Sequence, residues 1–244
     1  GQLAEMAQYD DPIHLSPDGT QAAVAIFDSR VGTPDIWVLD LKRNLRTRFT
    51  TDTAADNNPL WSPDGKKIVF SSTRRGRVVL FIKSVGGSQP EELFYSGAGD
   101  NFANAWSPDG KHVLSAQLIT GGGWDVLAIP VDGGKPLQVM RTSTGFGASF
   151  SPNGRWVVYD SNDSGQRDAF VIPFRGSGRK WQVSTAGGFG PRWMGKHIYY
   201  FNERAIMRSE VSEQDSTISI GNEETLFVVN ELVDFDASSD ETKL

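Results

Sequence analysis

The sequence contains no cysteine, which excludes a disulfide framework, thiolate zinc sites and a cysteine nucleophile. Histidine is nearly as scarce: His14, His112 and His197 are the only three. No apolar run exceeds strand length, so a transmembrane helix and direct membrane insertion are not expected. The opening residues, GQLAEMAQYDD, lack the basic and apolar regions of a secretory signal, and the chain is read as starting downstream of one. A formal net charge of −6 leaves no global basic field, so nucleic-acid binding is not expected. Local catalytic signatures are missing too: there is no G-x-S-x-G, no H-E-x-x-H and no phosphate-binding loop. The nearest fragment, Gly147-Ala-Ser149-Phe-Ser151, ends on the wrong residue.

What the chain does have is turn-formers, bulky core residues and a repeat. It carries 26 Gly and 12 Pro alongside 14 Phe and 7 Trp. The segments Leu15-Ser-Pro-Asp-Gly19, Trp61-Ser-Pro-Asp-Gly65, Trp106-Ser-Pro-Asp-Gly110 and Phe150-Ser-Pro-Asn-Gly154 recur with their glycines 46, 45 and 44 residues apart. A shortened copy, Trp193-Met194-Gly195, follows after 41 more. Proline presets the second turn position and glycine closes it. A period in the forties fits four short strands, one propeller blade. The sequence therefore predicts an all-β propeller with five four-stranded blades, about 9–50, 56–96, 100–141, 145–185 and 188–228. An incomplete sixth is expected at 232–244, closed by 1–8, the whole forming one domain over 1–244. The outer strands are placed at 45–50, 91–95, 137–141, 181–185 and 225–228. An open edge of this kind recruits another chain, which suggests a homodimer through the incomplete blade.

The stretch Trp61–Ser72, W-S-P-D-G-K-x-I-x-F-x-S, resembles the TolB-like propeller repeat, and the likeness runs over roughly 9–241. Asp35-Ile-Trp37, Thr47-Arg-Phe-Thr50 followed by Ala54-Ala-Asp56, and Lys180-Trp-Gln182-Val-Ser184 are similar to propellers C-terminal to bacterial membrane-anchored Ser/Thr kinases. That resemblance implies a sensory or scaffold domain for a protein or small ligand, in a periplasmic or other extracytoplasmic setting. Fold alone does not assign function.

Candidate chemistry lies along the innermost strands. His14, Arg192 and Asp236 occupy one repeat slot and form an acid–base or anion-binding candidate, set against a plain structural network. Asp11, Asn58, Asn101, Asn104 and Asp234 start inner strands, and hard cations such as Ca²⁺ want six to eight oxygen ligands. Asp11, Asn58, Asn101 and Asp234 are thus the metal candidates. Phe146 and Phe189, each flanked by glycines, offer an aromatic face to an apolar or sugar ligand. His112 and His197 share a different slot and are read as ordinary strand histidines. Arg74, Arg75 and Arg77 are read as one solvated loop. The leading functional expectation is a non-catalytic binding domain. Its rivals are a Ca-dependent hydrolase of lactones or phosphoesters and the gating propeller of a protease.

Overall fold

In a computed structural model of the chain, residues 13–143, 147–175, 179–214 and 217–228 are described. They build twenty strands and, among the described residues, no helix. The first sheet is β1 (His14–Leu15), β2 (Gln21–Asp28), β3 (Thr33–Asp40) and β4 (Leu45–Arg48). The second is β5 (Asp56–Trp61), β6 (Lys67–Ser72), β7 (Val79–Ser84) and β8 (Glu92–Tyr95). β9 (Asn101–Trp106), β10 (His112–Leu118), β11 (Trp124–Pro130) and β12 (Leu137–Thr142) form the third. β13 (Ala148–Phe150), β14 (Trp156–Ser161), β15 (Asp168–Pro173) and β16 (Trp181–Gln182) form the fourth. The fifth is β17 (Phe189–Met194), β18 (His197–Asn202), β19 (Ala205–Gln214) and β20 (Thr217–Val228). Each sheet is antiparallel and pairs its strands in chain order. This is the expected succession of four-stranded blades.

The chain divides into two compact units, with the boundary between Ala103 and Asn104. In the first, Ala23, Ala25, Ile36 and Val38 of the first sheet share a core with Trp61, Ile68, Phe70 and Phe81 of the second. In the second unit the fourth sheet is covered on both faces. Trp156, Val158, Ala169 and Val171 pack with Trp193, Ile198 and Tyr200 of the fifth sheet. Their strand neighbours Val157, Tyr159 and Phe170 pack with Leu114, Val126 and Ala128 of the third. Side chains alternate across a strand, so a sheet buried on both faces needs an uninterrupted apolar run. That is why Trp156-Val-Val-Tyr159 shows no polar alternation.

One strand expectation needs correction. The outer strand of the fifth sheet runs Thr217–Val228, not just 225–228, and its partner β19 extends to Gln214. The ladder absorbs two irregularities, after Ile206 and after Ser209. Polar, interrupted sequence there resembles a loop, but Val211 and Ile218 bury themselves in the core and hold the hairpin. The sixth blade at 232–244 and the closing segment 1–8 lie outside the described residues.

Candidate functional site

The repeat's signature residues are spent on the turn itself. Gly19 N–H donates to Ser16 O at 2.8 Å, and Ser16 Oγ donates to Asp18 Oδ1 at 2.7 Å while accepting the Gln21 amide at 2.9 Å. The same serine bridge recurs at Ser62–Asp64, Ser107–Asp109 and Ser151–Asn153. The four glycines have φ between +64° and +71°, a region that only glycine enters freely. The hydroxyl bond from Ser16, aided by the Thr20 amide, holds the Asp18 carboxyl down at about 2. Ser62 and Ser107 likewise lower Asp64 and Asp109. The shortened fifth copy is a two-residue connection, Met194 pairing directly with His197.

On the inner strands, His14 Nδ1 accepts the Trp61 amide at 3.3 Å. Ser149, in the same repeat slot, accepts the Trp193 amide on Oγ at 3.1 Å. This slot stitches one inner strand to the next within each unit. Arg192 donates to the Pro191 carbonyl at 3.4 Å, and Asp236 lies outside the described residues.

Of the oxygen-rich set, Asp11 and Asp234 are also outside the described residues. Asn58 has φ +50° at a bulge between Asn57 and Leu60, a left-handed position that asparagine tolerates. Gly190, at φ +60°, makes the matching bulge in the fifth sheet. Asn101 is buried and donates Nδ2 to the Gly99 carbonyl at 2.6 Å. Asn104 Oδ1 is buried without a hydrogen-bond partner among the described residues. Among those residues, no three His, Asp or Glu side chains come together to hold a metal ion.

The Gly-Phe-Gly segments have a steric basis. A Cβ on Gly188 would lie 2.5 Å from Ser184 Oγ and 3.0 Å from the Tyr200 ring, and one on Gly147 would lie 3.0 Å from Asp160 Oδ1. The Phe189 ring stacks on Phe201 with centroids 5.5 Å apart, and the Arg167 guanidinium sits 5.2 Å from its centre. Arg167 in turn pairs with buried Asp160. Phe146 lies outside the described residues.

Sequence reasoning missed a second polar device, at the start of the third strand of a sheet. Asp35 accepts from Thr50 Oγ1 at 3.2 Å and pairs with Arg48, while Thr50 Oγ1 accepts the Ile36 amide at 3.0 Å. Asp168 repeats this with Ser184 at 3.0 Å and Gln182 at 3.1 Å, and Ser184 Oγ accepts the Ala169 amide. Asp125 holds Arg141 through two bonds, at 2.7 and 2.9 Å, and Gln138 through one. Each aspartate pairs with the residue seven beyond its turn glycine, namely Ile26, Gln117 and Ser161. Val79 and Ala205 fill that slot in the second and fifth sheets. A carboxylate followed about fifteen residues on by a hydroxyl was the available signal.

In the second sheet a buried charge network takes over, and it corrects the reading of Arg74 as solvated. Its side chain is only 12% exposed, bonds Asp56 at 2.8 Å and lies 4.3 Å from the Phe81 ring centre. Glu91 stands 3.8 Å from Arg74 and 3.0 Å from Lys83. Arg77 donates to the Ala98 carbonyl and to Ser96 Oγ; of the three arginines in this loop, only Arg75 and Arg77 are exposed. Burial pushes the Asp56 carboxyl above its ordinary range, outweighing Ser72 and Arg74.

Comparison with known proteins matches this architecture. "Uncharacterized peptidase YuxL" of Bacillus subtilis is 24% identical over 210 residues, covering 68% of this chain and 31% of that protein. "Uncharacterized protein Atu1656" of Agrobacterium fabrum is 33% identical over 130 residues, covering 53% of this chain and 42% of that protein. The chain thus spans less than half the length of either relative. The structure of a putative TolB from Agrobacterium tumefaciens superposes with a TM-score of 0.74 at 20% identity, over 92% of this chain and 83% of that one. A family model described as the TolB beta propeller domain matches residues 10–193. The chain belongs to the TolB beta propeller domain family.

Proposed function

We propose that this chain is a non-catalytic binding domain, engaging a protein or small-molecule ligand as the propeller portion of a longer extracytoplasmic signalling or envelope protein of bacteria. One observation supports it most. Among the described polar side chains, His14 is taken up by the Trp61 amide, Ser149 by the Trp193 amide, and the buried Asp35, Asp56, Asp160 and Asp168 by arginines and hydroxyls. A general base or nucleophile needs a free, reachable atom, and these atoms are engaged. The test pairs two measurements on the purified chain. Equilibrium binding against envelope proteins and glycans is expected to give saturable association. Lactone, phosphoester and peptide substrates are expected to show no turnover with or without added Ca²⁺. Turnover that disappears on chelation would replace this reading with the hydrolase.

A second reading is favoured by one finding: the relative that covers 68% of this chain is named a peptidase, and this chain accounts for 31% of it. In that reading the propeller gates a catalytic domain carried elsewhere in the full protein. Peptide-length selectivity that vanishes when the propeller is deleted from the full protein would separate gating from sensing.

A further inference from the structure

Two adjoining open cavities of about 550 and 480 Å³ lie in the second unit, lined by the third and fourth sheets, and they share His112, Phe174 and Arg175. Their charge is unexpected for a chain of net charge −6. The larger is lined by three basic side chains, His112, Lys135 and Arg175, and by no carboxylate among the described residues. Lys111 and Arg155, which line the smaller one, have partners in Asp109 and Glu213. Arg175 differs: its described contacts are His112 Nε2 at 3.5 Å and the Phe174 ring at 5.4 Å, neither of them an anion. Guanidinium is always a donor, so this contact favours the neutral imidazole with Nε2 as its acceptor.

The aromatic wall is fixed in advance. Phe174 meets Phe150 edge-on at 4.8 Å and His112 at 5.5 Å, and its backbone amide bonds the Arg155 carbonyl. Leu137 and Val139 supply an apolar wall to the larger cavity. A cationic fork beside ordered apolar surface is the usual composition of a site for an anion with a hydrophobic body.

We propose that this groove binds a carboxylate carried on an apolar or aromatic body, Arg175 and Lys135 holding the carboxylate while Phe174, Leu137 and Val139 cover the body. The assignment goes beyond the binding role proposed above and stands independently of it. Two sources share this chemistry: a free aromatic acid, and the terminal carboxylate of a peptide ending in an apolar residue.

The geometry also sets a pH dependence. Burial, then the positive charge of Arg175, hold His112 below its ordinary value; Asp109 and Asp132 act in the other direction and Lys111 adds to the depression. A bound carboxylate draws Arg175 away and cancels its charge, which frees Nε2 to take a proton. Binding is therefore coupled to proton uptake and strengthens as pH falls through the histidine range.

The test uses the intact chain with phenylacetate, phenylacetamide, and a short peptide ending in phenylalanine as either free acid or amide, followed by NMR or calorimetry. Both free acids are expected to bind and both amides to fail. A peptide acid that binds tenfold tighter than phenylacetate identifies the peptide source, and equal affinities identify the small acid. Arg175→Ala is expected to weaken binding about tenfold, whereas Lys66→Ala, at an exposed turn of the second sheet, leaves it unchanged. His112→Gln flattens the rise in affinity between about pH 7.5 and pH 5.5. Amides binding as well as acids, no saturation by about 10 mM of either acid, or full affinity in Arg175→Ala would each overturn the assignment.

Discussion

In the first and third sheets two regions anchor the backbone with carboxylates, and they do so under different constraints. The inner connection uses Ser-Pro-Asp-Gly, where serine, aspartate and a left-handed glycine each have one task. The start of the third strand uses Asp35, Asp125 or Asp168, with donors that change from Arg48 to Arg141 to Gln182. The turn is a backbone-conformation problem, and few residues solve it. The latch is a hydrogen-bonding problem, solved by any well-placed donor. When Val79 removes the carboxylate, the second sheet turns to Arg74, Asp56, Glu91 and Lys83. Turn residues therefore recur visibly along the chain, while latch residues drift.

The sharpest way to break the comparison is Asp56→Ala. Removing it leaves Arg74 buried beside two aromatic rings with a neutral hydroxyl, Ser72 Oγ at 2.8 Å, and Glu91 at 3.8 Å, and is expected to cost about 3 kcal/mol in urea unfolding. A loss below about 1 kcal/mol would show that the network is as dispensable as a surface pair. Gly188→Ala comes next, at about 2 kcal/mol, because its methyl would meet Ser184 and Tyr200 inside contact distance. A neutral result in thermal unfolding would mean that the strand shifts freely there. Third, Ser62→Ala and Ser151→Ala should each cost about 1 kcal/mol and add in the double mutant, since separate turns share no partner. Strong non-additivity would deny that the turns are independent modules.

The smallest effect is electrostatic, and its sign distinguishes the two regions. Asp18, held near 2 by its turn, contributes stability that is present above its ordinary 3.8 and lost as pH falls toward 2. Asp56 has the opposite sign. Its folded value is raised, so between that value and 3.8 the folded state keeps a proton that the unfolded chain has released, and its contribution grows as pH falls through that window. Carboxyl titration by carbon NMR is expected to find Asp18 well below 3.8 and Asp56 above it. The reverse order would invert the assignment of roles.

The architecture was readable because turn chemistry repeats at a fixed interval. Ser16, Ser62, Ser107 and Ser151 mark four of the five inner connections, and the shortened Met194-Gly195 marks the last. The candidate site was less readable. His14 and Ser149 share a slot that spacing reveals, yet their bonds to Trp61 and Trp193 depend on how sheets pack, which the repeat leaves unstated. Arg74 was misread because charge in a loop suggests water, whereas Phe70 and Phe81, four residues before it and seven after, close over it only on folding. The long reach of β19 and β20 was missed because Ser212-Glu-Gln214, which ends β19, carries no apolar signal.

That hairpin has a consequence for experiment. Near its tip, Glu213 accepts from the Trp156 indole at 2.9 Å, from Asn153 Nδ2 at 2.8 Å and from Arg155 at 2.5 Å, all in the fourth sheet. An indole whose N–H is bound by a carboxylate in a buried setting emits differently from one released to solvent. With the other six tryptophans replaced by phenylalanine, Trp156 becomes an optical gauge of whether the fifth sheet is gripping the fourth, without any attached label.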